Sequence, residues 1–246
     1  MHRAAFRALG MPHSYEARRV TTDELRGVLD ELREGRYDGL NVTLPHKEAA
    51  LALTDHRAAG DLRAANTLVR SSDGRVTAHN TDVPALAEEL RLLAGEGAPW
   101  TTRRALVLGS GGAALAAVAA LRALGARDVA VRARTRRTAE TQAWTPSRDS
   151  ESRTLAVVQA TSAGMLGADP GGVAVDAVAW DALPVDAIAL DVVYAPPETP
   201  FLVAARRRGL RCANGLGMLA RQGALAFELW LGVPAPFEVM RAALEG

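Results

Sequence analysis

The sequence predicts an α/β fold of two domains, one of them built on a doubly wound parallel sheet. Three observations predict it. From residue 105 onward, short apolar strands alternate with helical stretches, the pattern that crossover connections in a parallel sheet produce. A glycine-rich turn, Gly109-Ser110-Gly111-Gly112-Ala113-Ala114, follows the first of those strands and opens a helix. The chain has 246 residues and is 48% hydrophobic, enough for two modest domains with cores of their own.

Residues 1–9 read as a helix, because Met1, Ala5, Phe6 and Leu9 share one face. Residues 14–18 read as a short strand. Thr22 is placed to cap a helix that runs to residue 33. Residues 39–43 form the next expected strand, and Pro45 starts another helix. The runs 67–70 and 75–78 flank Ser71-Ser72-Asp73-Gly74, a hairpin signal. Residues 84–94 read as a helix ending at Gly95-Glu96-Gly97. Beyond it come strand 105–108, a helix to residue 124 and strand 129–132. Runs 155–159, 187–192 and 210–213 repeat the strand signal, and the polar stretch 145–153 reads as a mobile loop. Helical patterns at 218–231 and 236–244 close the chain.

Composition narrows the function. The net charge is +1 with scattered charges, which speaks against a nucleic-acid partner needing a basic face. Cys212 is the single cysteine, and the five histidines show no metal-ligand spacing, so neither a disulfide nor a metal is expected. No apolar run reaches membrane-spanning length and no signal peptide is evident. A cytoplasmic protein is the expectation. Of the 29 basic residues only Lys47 is a lysine. Arginine replaces lysine on a surface, but not where an amine must gain and lose a proton. The functional reading of Lys47 stands against that of a stray surface lysine.

The turn at residues 109–114 fits G-x-G-x-x-A between an apolar strand and a helix, with another strand about twenty residues on. Gly109, Ser110, Gly111, Gly112 and Ala113 are therefore expected to receive a pyrophosphate at a helix N-terminus. The bland alternative is a glycine-rich turn with no ligand. An NAD site places a carboxylate at the end of the second strand. Here that stretch reads Val131-Arg132-Ala133-Arg134-Thr135-Arg136-Arg137. Four guanidinium groups suit a 2′-phosphate, so NADP is expected. A solvated basic loop is the alternative.

Five segments then carry a resemblance. Asn41-Val42-Thr43-Leu44-Pro45-His46-Lys47 looks like N-V-T-x-P-x-K. Ala64-Ala65-Asn66-Thr67 and His79-Asn80-Thr81-Asp82 resemble G-A-x-N-T and x-N-T-D. Asp191-Val192-Val193-Tyr194-Ala195-Pro196 with Thr199 resembles D-x-x-Y-x-P-x-x-T. Gly215-Leu216-Gly217-Met218-Leu219 with Gln222 resembles G-x-x-M-L-x-x-Q. In this order they resemble the shikimate and quinate dehydrogenases and span nearly the whole chain.

The resemblance implies a Rossmann-type nucleotide domain over residues 83–221. It implies a smaller α/β substrate domain over 1–82 and 222–246. It implies reversible NADP-dependent reduction of 3-dehydroshikimate to shikimate, a step of aromatic amino acid biosynthesis, with Lys47 and Asp82 as the catalytic pair. Thr43, Asn66 and Gln222 would bind substrate hydroxyls, and Tyr194 would position the substrate. Arg134 and Thr135 would read the 2′-phosphate, and Thr161, Met165 and Gly215 would complete the cofactor site. The chemistry is coherent in itself: hydride leaves a ring carbon while its hydroxyl loses a proton, and an amine beside a carboxylate relays that proton. The expected partner is a small-molecule substrate, with no nucleic acid or membrane, for a monomer or homodimer.

Two other functions compete. One is an NAD-dependent quinate or other polyol-acid dehydrogenase. The other is a catalytically impaired nucleotide-binding paralogue, which departures such as Arg63, Ala85, Ala133 and Gln159 would favour. The resemblance also implies a strand and an S-x-S loop ahead of the first helix, absent from this sequence. Two explanations stand: a start at an internal Met about twenty residues into the natural chain, favoured because a helix at residue 1 without lead-in or cap is unusual, or a divergent form that has lost the pocket for the substrate carboxylate.

Overall fold

The computed structural model describes residues 1–58, 63–134 and 141–245. The chain divides into two compact units, Met1–Asp82 with Leu219–Gly246, and Val83–Met218.

The first unit contains α1 (His2–Ala8), α2 (Leu25–Arg33), β1 (Gly39–Asn41), α3 (Lys47–Ala52), β2 (His56–Arg57), β3 (Thr67–Arg70) and β4 (Val76–His79). Its sheet has the order β1-β3-β4-β2. β3 pairs antiparallel with β1 and with β4, its partner in the expected hairpin, while β2 lies parallel to β4. α2 forms because Leu25, Val28, Leu29 and Leu32 recur at helical spacing, and all four are buried. Leu25, Leu29 and Leu32 pack with Val42, Leu51 and Leu68.

Three expectations are corrected here. Residues 14–18 form no strand. Their neighbourhood is held by side chains instead: Arg3 donates to the Tyr15 carbonyl, and His46 meets the Val20 carbonyl. Thr22 does not cap α2. The helix begins at Leu25, and Glu24 reaches back to accept from the Thr21 N–H and hydroxyl. α3 begins at Lys47 rather than Pro45, after a turn closed by the His46 N–H on the Thr43 carbonyl.

The second unit opens with α4 (Asp82–Ala94). Its elements are β5 (Arg104–Leu108), α5 (Gly112–Ala123), β6 (Val129–Arg132), β7 (Thr141–Gln142), α6 (Arg148–Glu151), β8 (Thr154–Gln159), α7 (Gly172–Asp176), β9 (Ile188–Asp191), α8 (Pro200–Arg207) and β10 (Arg211–Ala213). α9 (Leu216–Leu231) and α10 (Phe237–Glu245) complete the chain. The sheet is parallel throughout, in the order β10-β9-β8-β5-β6-β7. The chain starts at a central strand, winds outward one way, returns and winds the other. This is the doubly wound arrangement, with its switch point between β5 and β8. Alternation along β5 sends Ala105 and Val107 to one core, and Leu106 and Leu108 to the other. All six residues of β8 are buried, as a strand covered on both faces requires.

Residues 148–151, expected in a loop, form α6 and bury Ser150 and Glu151. Among the described residues, no helix is long and apolar enough to cross a membrane.

Candidate active site

β1 delivers the chain to the turn that places Lys47 at the first position of α3. The Lys47 carbonyl accepts from the Ala65 N–H, and the Val42 N–H donates to the Asn66 carbonyl, so the Asn41–Lys47 and Ala65–Asn66 segments are held side by side. Lys47 Nζ donates to Asp82 Oδ2 at 2.6 Å, and both side chains are largely shielded from water. Asn66 Nδ2 donates to Asp82 Oδ1 at 2.8 Å. Both carboxylate oxygens are thus engaged, one by the amine and one by an amide. Asp82 also opens α4, and its N–H donates to Asn80 Oδ1. Lys47, Asp82 and Asn66 converge into one constellation.

Thr81 joins this constellation, although the sequence marked it only as part of a motif. Its N–H donates to Asn66 Oδ1 at 2.7 Å and its hydroxyl lies 3.0 Å from Asn66 Nδ2. Asn66 is 3% exposed, so these bonds fix which way its amide faces. Thr43 is exposed beside the constellation in sequence. Gln222 lies on α9 and donates to the Leu219 carbonyl of its own helix.

In the second unit, Gly109 ends β5 with φ near 120°. A Cβ there would sit 2.8 Å from the Ala160 carbonyl oxygen, so only glycine lets the two strand ends approach. The N-terminus of α5, at Gly111, Gly112 and Ala113, has no side-chain cap and no acidic residue in its first turn. Its backbone N–H groups therefore suit an anion. Ser110 lies in the same turn. The loop after β8 is shaped by the fully buried Gln159, which accepts from the Thr161 N–H and donates to the Ala163 carbonyl. Thr161 Oγ1 in turn accepts from the Ala163 N–H. The Gln159 departure thus still closes its loop. Met165 and Tyr194 are exposed apolar side chains. A Cβ on Gly215 would lie 2.1 Å from the Val192 carbonyl oxygen, which reserves that position for glycine.

The arginine cluster needs a correction. Arg132 is buried and its Nη1 donates to Glu151 Oε1 at 2.9 Å and to the Ala177 carbonyl. It is a structural group, not a phosphate ligand. Arg134 is exposed two residues beyond. Thr135, Arg136 and Arg137 lie outside the described residues.

Asp191, at the end of β9, is fully buried and accepts from the Thr199 hydroxyl and the Val193 N–H. Burial pushes its carboxyl up to about 6, against the lowering pull of those two bonds. A raised carboxyl takes up its proton more readily in the folded state. The stability this gives is full below the unfolded value of about 3.9 and is lost as pH rises through about 6. Asp191→Asn removes the ionisable group; its Oδ1 still accepts from the Val193 N–H while its Nδ2 turns to donate to Thr199 Oγ1, reversing that bond, and the pH slope should disappear. Urea unfolding at pH 4 and pH 7 should show the parent losing about 2–3 kcal/mol more than the variant. Equal losses would refute the assignment.

A doubly wound sheet with a glycine turn at its central strand, and a shielded lysine–carboxylate pair in a second unit, are the parts of a dinucleotide-dependent oxidoreductase. The chain belongs to the shikimate dehydrogenase family. The family's substrate binding domain matches residues 1–68, and its C-terminal domain matches residues 215–245. The shikimate dehydrogenase (NADP(+)) of Methylobacterium radiotolerans is 42% identical over 243 residues, covering 92% of this chain and 83% of the relative. A crystal structure of shikimate 5-dehydrogenase from Thermus thermophilus, in complex with NADP(H) and shikimate, is 35% identical. It superposes with a TM-score of 0.83, covering 99% of this chain and 92% of that one. Quinate dehydrogenase from Corynebacterium glutamicum, in complex with NAD, is 30% identical with a TM-score of 0.83, covering 99% and 92%.

Proposed function

We propose that the protein catalyses the reversible NADP-dependent reduction of 3-dehydroshikimate to shikimate. The observation that carries this reading is the sole lysine, bonded at 2.6 Å to a carboxylate that Asn66 also holds, in a chain whose relatives bear that activity in their names. The unit of Met1–Asp82 and Leu219–Gly246 handles the substrate, and Val83–Met218 handles the nucleotide.

The residues fit a dinucleotide: Gly111 and Gly112 face open space, where an added Cβ would meet nothing within 4 Å, and the uncapped start of α5 suits its pyrophosphate. NADP, when bound, supplies or accepts the hydride. In the direction of reduction Lys47 donates a proton to the carbonyl oxygen as it becomes a hydroxyl, and in reverse it withdraws it. Asp82 holds the amine in place, and Asn66 holds Asp82. Thr43, Asn66 and Gln222 bind the ring hydroxyls, and Tyr194 orients the ring. Gly109, Ser110, Gly111, Gly112 and Ala113 receive the pyrophosphate. Arg134 and Thr135 take the 2′-phosphate, and Thr161, Met165 and Gly215 line the rest of the cofactor. The partner is a small molecule.

The direct test is turnover of shikimate with NADP⁺ against quinate with NAD⁺. The second pair is a specific competitor, because a quinate dehydrogenase in complex with NAD shares the fold and Arg132 is already committed to Glu151. Faster turnover of quinate with NAD⁺ would reverse the reading. Arg134→Ala is expected to weaken NADP binding about 10–100-fold and leave NAD binding unchanged, as the loss of one charge-assisted contact requires. Equal weakening of both cofactors, measured by titration calorimetry, would mean that Arg134 does not read the 2′-phosphate.

A further inference from the structure

We infer that Tyr15 is a positioning residue for the reaction, acting on Asp82 through Asn41, Thr67 and Asn66. The inference rests on the reading of Lys47 and Asp82 as the reacting pair.

Tyr15 lies in the segment between α1 and α2, outside every motif of the sequence. Its phenol hydroxyl donates to Asn41 Oδ1 at 2.8 Å. Asn41 Nδ2 is within 3.3 Å of both the Asn66 carbonyl and Thr67 Oγ1. Thr67 Oγ1 lies 3.2 Å from Asn66 Oδ1, and Asn66 Nδ2 reaches Asp82 Oδ1 at 2.8 Å. Asn66 and Thr67 are buried.

Counting protons fixes the direction of this chain. A backbone carbonyl only accepts, so the Asn41 amide must turn its Nδ2 toward Asn66, and its Oδ1 then faces Tyr15. The Tyr15 hydroxyl is therefore the donor. Thr67 Oγ1 receives a proton from Asn41, and its own proton faces Asn66 Oδ1 and Thr81 Oγ1, each at 3.2 Å; the Thr81 hydroxyl lies 3.3 Å from the same Asn66 Oδ1, so both routes end on the Asn66 amide oxygen. Asn66 Nδ2 is left to donate onward to the carboxylate. Each link orients the next, and hydrogen bonds running in one sense polarise one another. Burial raises the phenol's pKa, so Tyr15 stays a donor over the working range. Its ring is held separately, stacked on His2 with centroids 4.3 Å apart. Ring and hydroxyl therefore do different jobs, and a substitution can separate them.

Tyr15→Phe keeps the stacked ring and removes one oxygen. The expected result is a kcat about fivefold lower, with an unchanged KM for NADP and an unchanged thermal midpoint. Asn41→Ala should lower kcat about tenfold. The double variant should be no slower than Asn41→Ala alone, because coupled groups in one network are not additive. A residue that merely stabilised the fold would shift the thermal midpoint and leave kcat of the folded enzyme unchanged. A Tyr15→Phe enzyme with parental kcat, or losses that multiply in the double variant, would overturn the inference and leave the proposed function standing. A parent enzyme that does not turn over shikimate would overturn both.

Discussion

Lys47→Arg is expected to lower kcat by about 10²–10⁴ while the protein stays folded and binds NADP as before. The substitution is chosen because it separates charge from proton exchange. Lys47 Nζ donates to Asp82 Oδ2 with both side chains shielded, at 20% and 13% exposure. A guanidinium satisfies the same carboxylate, so the buried charge balance survives. It does not lose its proton in the accessible pH range, so it cannot take one from a substrate hydroxyl. Lys47→Ala should be equally slow but less stable, because Asp82 keeps Asn66 and loses its counter-charge. Steady-state kinetics with shikimate and NADP⁺, paired with a melting curve for each variant, distinguish the two effects. Normal turnover by Lys47→Arg would remove Lys47 from the proton path.

The same chain illustrates what a sequence discloses and what it hides. Lys47 stood out because all other basic residues are arginine, and Asp82 and Asn66 lay in short motifs that the fold brings together. The doubly wound sheet was legible because its central strands β5, β8 and β9 are almost wholly buried and read as apolar runs. α2 was legible because Leu25, Val28, Leu29 and Leu32 repeat at helical spacing.

What remained hidden depends on contacts across long separations. Tyr15 meets Asn41 across 26 positions, with no local periodicity to announce it. α6 spans only four residues, too short for a pattern. Arg132 looked like one of four similar arginines until Glu151, 19 positions later, was found against it. A residue type alone does not say whether a charge faces water or a partner.

That hidden pair carries the largest expected effect on stability. Glu151→Ala is expected to destabilise the Val83–Met218 unit by about 3–5 kcal/mol, the usual cost of stranding one half of a buried ion pair. The side chains of Arg132 and Glu151 are 1% and 0% exposed, so water cannot replace the missing partner. Glu151 also accepts from the Ser147 and Ala179 N–H groups, which ties the approach to α6 and the chain after α7 to the end of β6. Arg132 is already under-satisfied, since its Nε finds no partner among the described residues. Among the described residues, loss of Glu151 leaves the Arg132 charge with only the Ala177 carbonyl. Arg132→Met combined with Glu151→Leu removes both charges and should recover most of the loss, because apolar replacements of buried pairs are often neutral or stabilising. Chemical denaturation of the parent, the single variant and the double variant gives the comparison. A single variant within about 1 kcal/mol of the parent, or a double variant no better than the single, would show that the pair is not what holds the end of β6. Arg132 closes that strand two residues before Arg134, so Glu151→Ala should also blunt the preference for NADP over NAD, and it should do so at temperatures where the protein is still folded.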